Sequence, residues 1–508
     1  MKRYYNLLIV TTLIICCLHL KANVNPASLF CDNAVLQRGV VVPVWGTADN
    51  NEKITLEFAG QKISTTAVNG NWMIKLKPLK AGGPFEMVIT GNNKIILKNI
   101  LVGEVWLCSG QSNMERQLGP RRGQKLIDNW REEVLDAVNY PNIREFALPH
   151  VTATQPQKEV NAKWIICDTT SVINFSAIGF FFGRELCKKY NVPIGLIHSS
   201  WGGTPAEKWT SRAALESNPE LKALVDDYDK AIHDYPLKLE EYKKNESEIL
   251  KKWSADTSLA RQNNKTLPLK PTAPIDPMKS GDCGGLYNAM IAPLIPYAIK
   301  GVIWYQGESN SVRAKQYRTL FPAMINDWRN KWNNSRLPFL FVQIAPYRSN
   351  TPELREAQLL TWQKTPNTSM VVITDIGDSI NIHPTHKRPV GERLALAARA
   401  IAYKEAIEYA GPVYKSMKIS DGKIILSFTH VGTGLVAKDG ALKGFIIAGS
   451  DKKFVPATAI ISEDKVIVSA ESIKEPLAVR YGWKNSPDIN LFNKEDLPAS
   501  PFRTDVEK

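Results

Sequence analysis

The sequence predicts an α/β protein whose central region is flanked on each side by an all-β module. In the middle of the chain, short apolar runs are each followed by a polar turn and a helical stretch, a pattern typical of a mostly parallel sheet covered on both faces. Near both ends, apolar and polar residues alternate between turn signals, which indicates antiparallel strands. A chain of 508 residues is also too long for one ordinary core, so two or three domains are expected.

The first residues predict export. Residues 1–22 combine a basic start, an apolar run of about 14 residues from Leu7 to Leu20, and a small residue at Ala22. This is the plan of a secretory signal peptide cleaved near Ala22. A membrane anchor is the alternative, but spanning a bilayer takes roughly 20 apolar residues. We therefore expect a periplasmic or secreted protein without a transmembrane segment.

Composition excludes several classes of protein. Hydrophobic residues make up 44% and charged residues 22%, the balance of a folded globular chain. The formal net charge is +14, but the basic residues are scattered among acids and form no block with interleaved aromatics, so nucleic-acid binding is not expected. The five cysteines beyond the signal peptide lack metal-type spacing; we expect no metal site and no disulfide framework, and a single disulfide stays open.

The two β modules are predicted at residues 23–100 and 409–508. "KITLEF", "NWMIKLK" and "FEMVIT" alternate in the first, with turns at Asn69-Gly70 and Gly91-Asn92. "KIILSF", "KVIVSA" and "LAVRYGW" alternate in the second. Each module is either a packed support for the central region or a separate carbohydrate binder.

The central region is predicted at residues 101–408. Its strand-like runs are "EVWLC", "PIGLIHSS", "GVIWYQG", "PFLFVQIAP" and "MVVITDIGD". A helical insertion at about 212–275 interrupts them, because apolar residues from Leu221 to Trp253 recur at helical spacing among charges, with a break expected near Pro236.

Polar residues follow four of these strands, where an open parallel sheet binds its ligands. The ends carry a serine (Ser112), a double glycine (Gly202-Gly203), an amide with a carboxylate (Gln306 and Glu308) and an imidazole (His383). A serine nucleophile needs an adjacent base, and the oxyanion it creates needs N–H donors, which glycines allow to approach closely. If the four ends share one rim, they provide these parts.

The motifs at these positions resemble the sialate O-acetylesterase family of the SGNH hydrolases. They are "GQSNM" at 110–114, "WGGTPAEKW" at 201–209, "GLYNAMIAPL" at 285–294, "IKGVIWYQGESN" at 299–310 and "IHPTHKRPVGERLA" at 382–395. The resemblance implies an SGNH-type three-layer α/β/α hydrolase domain and a carbohydrate O-acetylesterase that needs no metal or organic cofactor.

The resemblance also implies roles for individual residues. Ser112 matches the nucleophile, whose own N–H is one oxyanion donor, and His383 matches the general base. Gly203 is the favoured second donor, with Gly202 as its alternative. Gln306 is the candidate amide donor of the oxyanion hole, and Asn310 is a weaker candidate for binding substrate.

One position departs from the family pattern. SGNH hydrolases commonly place an aspartate three residues before the catalytic histidine, and Ile380 stands there. Asp375, Asp378 or a backbone carbonyl is then left to orient His383. His386 is an alternative base in the same loop.

Three functions stay open at this stage. The first is an esterase that deacetylates sialic acids through an acetyl-enzyme, and the second is the same chemistry on another glycan such as xylan or xyloglucan. The third is a non-catalytic glycan-binding protein. A glycosidase, with Glu308 as acid and Glu104 or Glu115 as partner, leaves the serine and the double glycine unexplained.

Overall fold

The computed structural model describes residues 23–278 and 283–505. The predicted signal peptide, residues 1–22, lies outside this range. Within the described range, no helix combines the length and apolar character needed to cross a membrane. All five cysteines there are free thiols.

The first part of the chain forms eight strands whose alternating burial follows the alternating sequence. They are β1 (Asn25–Pro26), β2 (Val35–Gln37), β3 (Val42–Thr47), β4 (Lys53–Phe58), β5 (Gln61–Thr66), β6 (Asn71–Leu76), β7 (Gly82–Thr90) and β8 (Lys94–Gly110). Strands β1, β3 and β6 form one small sheet, and β5, β4, β7 and β8 pair in that order. Along β6, every second residue is buried.

Strand β8 joins the N-terminal strands to the central sheet. It is 17 residues long, and its first part pairs antiparallel with β7. Its later residues pair in parallel with two strands of the central region. The predicted boundary between residues 100 and 101 therefore falls inside a single strand.

The central region alternates strands and helices. Its helices are α1 (Ser112–Glu115), α2 (Trp130–Asp136), α3 (Ala177–Tyr190), α4 (Arg212–Glu216), α5 (Pro219–Gln262), α6 (Ala314–Lys331), α7 (Pro352–Lys364) and α8 (Arg388–Ile401). Its remaining strands are β9 (Ile143–Ala147), β10 (Trp164–Ile166), β11 (Ile194–Ser200), β12 (Gly301–Tyr305), β13 (Phe339–Val342) and β14 (Thr368–Val371). The sheet order is β10-β9-β11-β8-β12-β13-β14, parallel except for the edge pair β10–β9. The expected mixed α/β architecture is confirmed.

Alternate residues of the central strands enter two different cores. Trp106 and Cys108 of β8 pack in the core that contains α3 and α8, whereas Leu107 packs in the core that contains α6 and α7. Because successive side chains of a strand point to opposite faces, helices cover both faces of the sheet. The carboxyl ends of β8, β11 and β12 meet at one rim.

The helical segment of the insertion is continuous at Pro236. Helix α5 runs for 44 residues through Pro236, so the expected break there is wrong. A proline removes one backbone donor, and the hydrogen bonds on either side keep the helix continuous.

The last part of the chain forms strands β15 to β24 around a third core. Their bounds are β15 (Val413–Ser420), β16 (Lys423–Thr429), β17 (Leu435–Ala437), β18 (Phe445–Ala448), β19 (Val455–Pro456), β20 (Thr458–Ser462), β21 (Lys465–Ser469), β22 (Ala478–Tyr481), β23 (Leu491–Asn493) and β24 (Phe502–Arg503). Buried Arg355 on α7 donates to the carbonyls of Lys484 and Asn485, and Arg503 pairs with Glu356. These contacts pack the C-terminal strands against the central region.

Candidate active site

The turn after β8 requires glycine at position 110. Gly110 has φ +134°, and a Cβ there would lie 2.2 Å from the carbonyl oxygen of Tyr305 on the neighbouring strand. The chain then bends, the N–H of Gln111 donates to that same carbonyl, and α1 begins at Ser112. Ser112 is therefore presented at the rim of the sheet, where it is half-buried.

Ser112 and His383 are brought together from positions 271 residues apart. The Nε2 atom of His383 lies 2.8 Å from Oγ of Ser112. The histidine loop is held by Asn381, whose side chain accepts from the His383 N–H and donates to its carbonyl. A serine hydroxyl at this distance can pass its proton to a neutral imidazole.

Neither candidate aspartate contacts the imidazole. Asp375 forms an ion pair with Arg393, and Asp378 accepts from the N–H groups of Ile380 and Asn381. Within residues 23–278 and 283–505, Nδ1 of His383 has no hydrogen-bond partner. Ser112 and His383 form a hydrogen-bonded pair, here called the dyad, and Asn381 holds the histidine through its backbone N–H and carbonyl.

Burial holds His383 in its neutral form. Desolvation lowers the pKa of His383 to about 4, and the positive charges of Lys387, Arg116 and Arg121 act in the same direction. Neutral imidazole is the form that can accept a proton, and His383 keeps this form well below pH 7.

A buried polar cluster beneath the dyad connects three motifs. The ammonium of Lys387 donates to Oδ1 of Asn113 at 2.5 Å, and Nδ2 of Asn113 donates to Glu308 at 2.9 Å and to the carbonyl of Ile382. Burial lowers the pKa of Lys387 to about 7 and raises the pKa of Glu308. The residue after the serine thus binds both the histidine loop and the "IKGVIWYQGESN" motif.

The glycine loop after β11 lies against α1. Glu115 accepts the N–H of Gly202 at 2.6 Å, and a Cβ on Gly202 would lie 3.0 Å from the Cβ of Ser112. Gly203 has φ +74° and is exposed, and in the described part of the chain its N–H meets no acceptor. Gly203, rather than Gly202, has a donor available for an oxyanion.

The similarity to known proteins covers nearly the whole chain. The profile of the family "Carbohydrate esterase, sialic acid-specific acetylesterase" matches residues 102–244 and 269–400. The chain belongs to this family. Sialate O-acetylesterase of Rattus norvegicus is 31% identical over 94% of this chain and 93% of its own length. That of Homo sapiens is 29% identical over 94% of this chain and 91% of its own.

A solved structure is similar over the same extent. The crystal structure of a carbohydrate acetylesterase from Xanthomonas citri has a TM-score of 0.80 and 36% identity, and covers 95% of this chain and all of that one. The protein is therefore a carboxylic-ester hydrolase of the sialic acid-specific acetylesterase family.

Two amides expected at the site of this esterase have other partners. Nε2 of Gln306 donates to Asn310 at 2.7 Å and to the carbonyl of Thr204, so both of its hydrogens are occupied. Asn310 accepts from Ala206 N–H and donates to Glu207. Both amides are buried and tie the "IKGVIWYQGESN" motif to the glycine loop, so their side chains are not presented at the rim.

The alternative base is also engaged elsewhere. His386 of the esterase pairs with Asp128 at 2.8 Å, and 61% of its side chain is exposed. A second serine–histidine contact, between Ser200 and His198 at 2.6 Å, was not expected. Only 3% of Ser200 is accessible, so its hydroxyl is closed to a substrate whereas Ser112 is open.

Sequence reasoning missed Lys387 and gave Glu115 no part in an esterase. Charged residues at the start or end of a helix usually face solvent, and nothing in their spacing distinguishes these two. Glu115 is three residues after Ser112, and Lys387 is four residues after His383. This closeness in sequence is the one signal that could have pointed to them.

Proposed function

We propose that this esterase removes acetyl groups from O-acetylated sialic acids by a Ser112–His383 mechanism. The observation that carries the mechanism is the 2.8 Å contact between Oγ of Ser112 and Nε2 of His383 at an open rim. The names of the full-length relatives support the substrate class.

In the first half of the reaction, Oγ of Ser112 attacks the acetyl carbonyl carbon while Nε2 of His383 takes its proton. The oxyanion is stabilised by the N–H groups of Ser112 and Gly203, each such donor contributing roughly a hundredfold to a thousandfold in rate. The bond to the sugar oxygen then breaks, and the imidazolium protonates that oxygen as the sugar leaves.

In the second half, His383 takes a proton from water, which attacks the acetyl-enzyme. The tetrahedral intermediate collapses, acetate leaves, and the proton returns to Oγ of Ser112. We assign Gln306 and Asn310 to fixing the glycine loop rather than to the oxyanion hole, since their hydrogen bonds are made inside the protein.

The finer features of the fold and location are part of the same proposal. The central region is taken to be an SGNH-type three-layer domain, since helices cover both faces of its sheet. The N-terminal and C-terminal strands are taken as packed supports. Export after cleavage near Ala22, to the periplasm or outside the cell, rests on the N-terminal sequence.

Acetate release by the purified mature protein tests the proposal. Rates are compared for 9-O-acetylated sialic acid, acetylated xylan and an aryl acetate, with Ser112→Ala as control. We expect preference for the sialate and at least about a thousandfold loss of kcat in Ser112→Ala with folding intact. Preference for xylan would keep the mechanism and overturn the substrate, and release from none of them would favour a glycan-binding protein.

A further inference from the structure

Arg121 contacts α1, the short helix that begins with Ser112. Its Nη2 donates to Oε1 of Glu115 at 2.6 Å, and Glu115 is three residues after Ser112 on α1. The Arg121 side chain is 36% exposed and makes no other hydrogen bond to the described residues. A guanidinium has five N–H donors, so several remain for a ligand at the rim.

The loop that carries Arg121 is tied down. The guanidinium of buried Arg116 donates to three backbone carbonyls of this loop, those of Gln117, Gly119 and Lys125. The N–H groups of Leu118 and Gly119 donate to the carbonyls of Phe175 and Ile173. These bonds fix the backbone of the loop, and the ion pair with Glu115 fixes the Arg121 side chain, so little ordering accompanies binding.

A flat aromatic surface lies on the same side of the site. The rings of His150 and Trp201 stack with centroids 4.6 Å apart and planes 9° apart, and Trp201 directly precedes Gly202. Nε2 of His150 is 3.9 Å from Oε1 of Glu115, the atom that binds Arg121. A cation and an aromatic wall therefore both adjoin the glycine loop.

We propose that Arg121 determines specificity by binding the carboxylate of an acidic sugar whose acetyl group lies at Ser112. Guanidinium and carboxylate form paired hydrogen bonds that a neutral sugar cannot make. This inference rests on the proposed sialate esterase function and deepens it, because xylose units carry no carboxylate at all. Glu115 orients the guanidinium and leaves its outer edge to the substrate.

The test compares one substrate with its neutral counterpart. Values of kcat/KM are measured for 9-O-acetyl-N-acetylneuraminic acid and for its C1 carboxamide, with wild type, Arg121→Gln and Arg122→Gln. Arg122 is exposed and adjacent, so its substitution removes the same charge without touching Glu115. The acid-to-amide preference is the ratio of kcat/KM for the acid to kcat/KM for the carboxamide. We expect Arg121→Gln to reduce this ratio, mainly through KM, by about tenfold to a hundredfold, which is the range for one lost hydrogen bond to a charged group. Arg122→Gln should retain the preference.

A fall of equal size on both substrates would overturn the inference, since it would show a merely structural role. Calorimetric binding of N-acetylneuraminate, the deacetylated sugar, separates this failure from failure of the proposed function. Binding that is lost in Arg121→Gln, without acetate release by wild type, would contradict the reaction and retain the carboxylate site. Turnover by wild type with no preference for the acid would overturn the carboxylate site alone.

Discussion

Replacing Glu115 with glutamine should slow catalysis although Glu115 touches no reacting atom. Its carboxylate accepts the N–H of Gly202 at 2.6 Å and is only 11% exposed. It also lies on the same four-residue helix as Ser112. One side chain therefore sets the position of the glycine loop relative to Ser112.

The magnitude follows from the kind of hydrogen bond that is lost. A hydrogen bond to a charged group contributes about 1.5–3 kcal/mol. If that energy keeps the N–H of Gly203 aimed at the oxyanion, its loss appears in the transition state, where each 1.36 kcal/mol is about tenfold in rate. We expect kcat to fall roughly tenfold in Glu115→Gln, which keeps an acceptor oxygen, and about a hundredfold in Glu115→Ala.

Steady-state hydrolysis of a neutral aryl acetate is the appropriate assay, because it is independent of any carboxylate on the substrate. Glu86→Gln, an exposed glutamate on β7, is the matched control and should behave as wild type. Unchanged kcat in Glu115→Ala, or a change confined to KM, would refute this explanation of how the oxyanion loop is held.

Three further predictions concern the dyad and its surroundings. The pKa of His383 is lowered to about 4, so kcat/KM for an aryl acetate should stay level from neutral pH downward and fall only as the pH drops through about 4. An acid limb near pH 6.5 would contradict the lowered pKa of His383. Lys387→Met removes a positive charge that lowers this pKa, so the acid limb should move to higher pH, and an unmoved limb would count against the role of Lys387. The same substitution removes the hydrogen bond that Lys387 donates to Oδ1 of buried Asn113, so urea unfolding should show a loss of about 1–3 kcal/mol. Gly110→Ala should lower the free energy of unfolding by more than Gly123→Ala does. A Cβ at position 110 would lie 2.2 Å from the carbonyl oxygen of Tyr305, whereas a Cβ at position 123 would meet no atom within 4 Å. Equal losses of stability would contradict the need for glycine in the turn.

The sequence predicted the architecture wherever burial follows a simple period. Strands such as β6 alternate by twos, and β12 is apolar throughout because both of its faces are covered. The continuity of β8 was hidden, since one strand changes from a half-exposed to a fully buried pattern along its length. The helix through Pro236 was also missed, because local preference indicates a break that the flanking hydrogen bonds override.

At the site, the motifs predicted residue types better than hydrogen-bond partners. Ser112 and His383 are in contact, and among residues 23–278 and 283–505 the N–H of Gly203 has no acceptor, as those motifs suggest. The amides of Gln306 and Asn310 are as suited to internal ties as to substrate, and only the positions of Thr204 and Glu207 decide between the two. The positions of Glu115 and Lys387 depend on which loops meet in space, which the order of residues does not state.

Covalent trapping shows directly whether Ser112 is the nucleophile. The mature protein is treated with a fluorophosphonate and digested, and the labelled peptide is identified by mass spectrometry. We expect one label on Ser112, absent in Ser112→Ala and formed much more slowly in His383→Ala. A label on Ser200 or another serine, or undiminished labelling in Ser112→Ala, would contradict it.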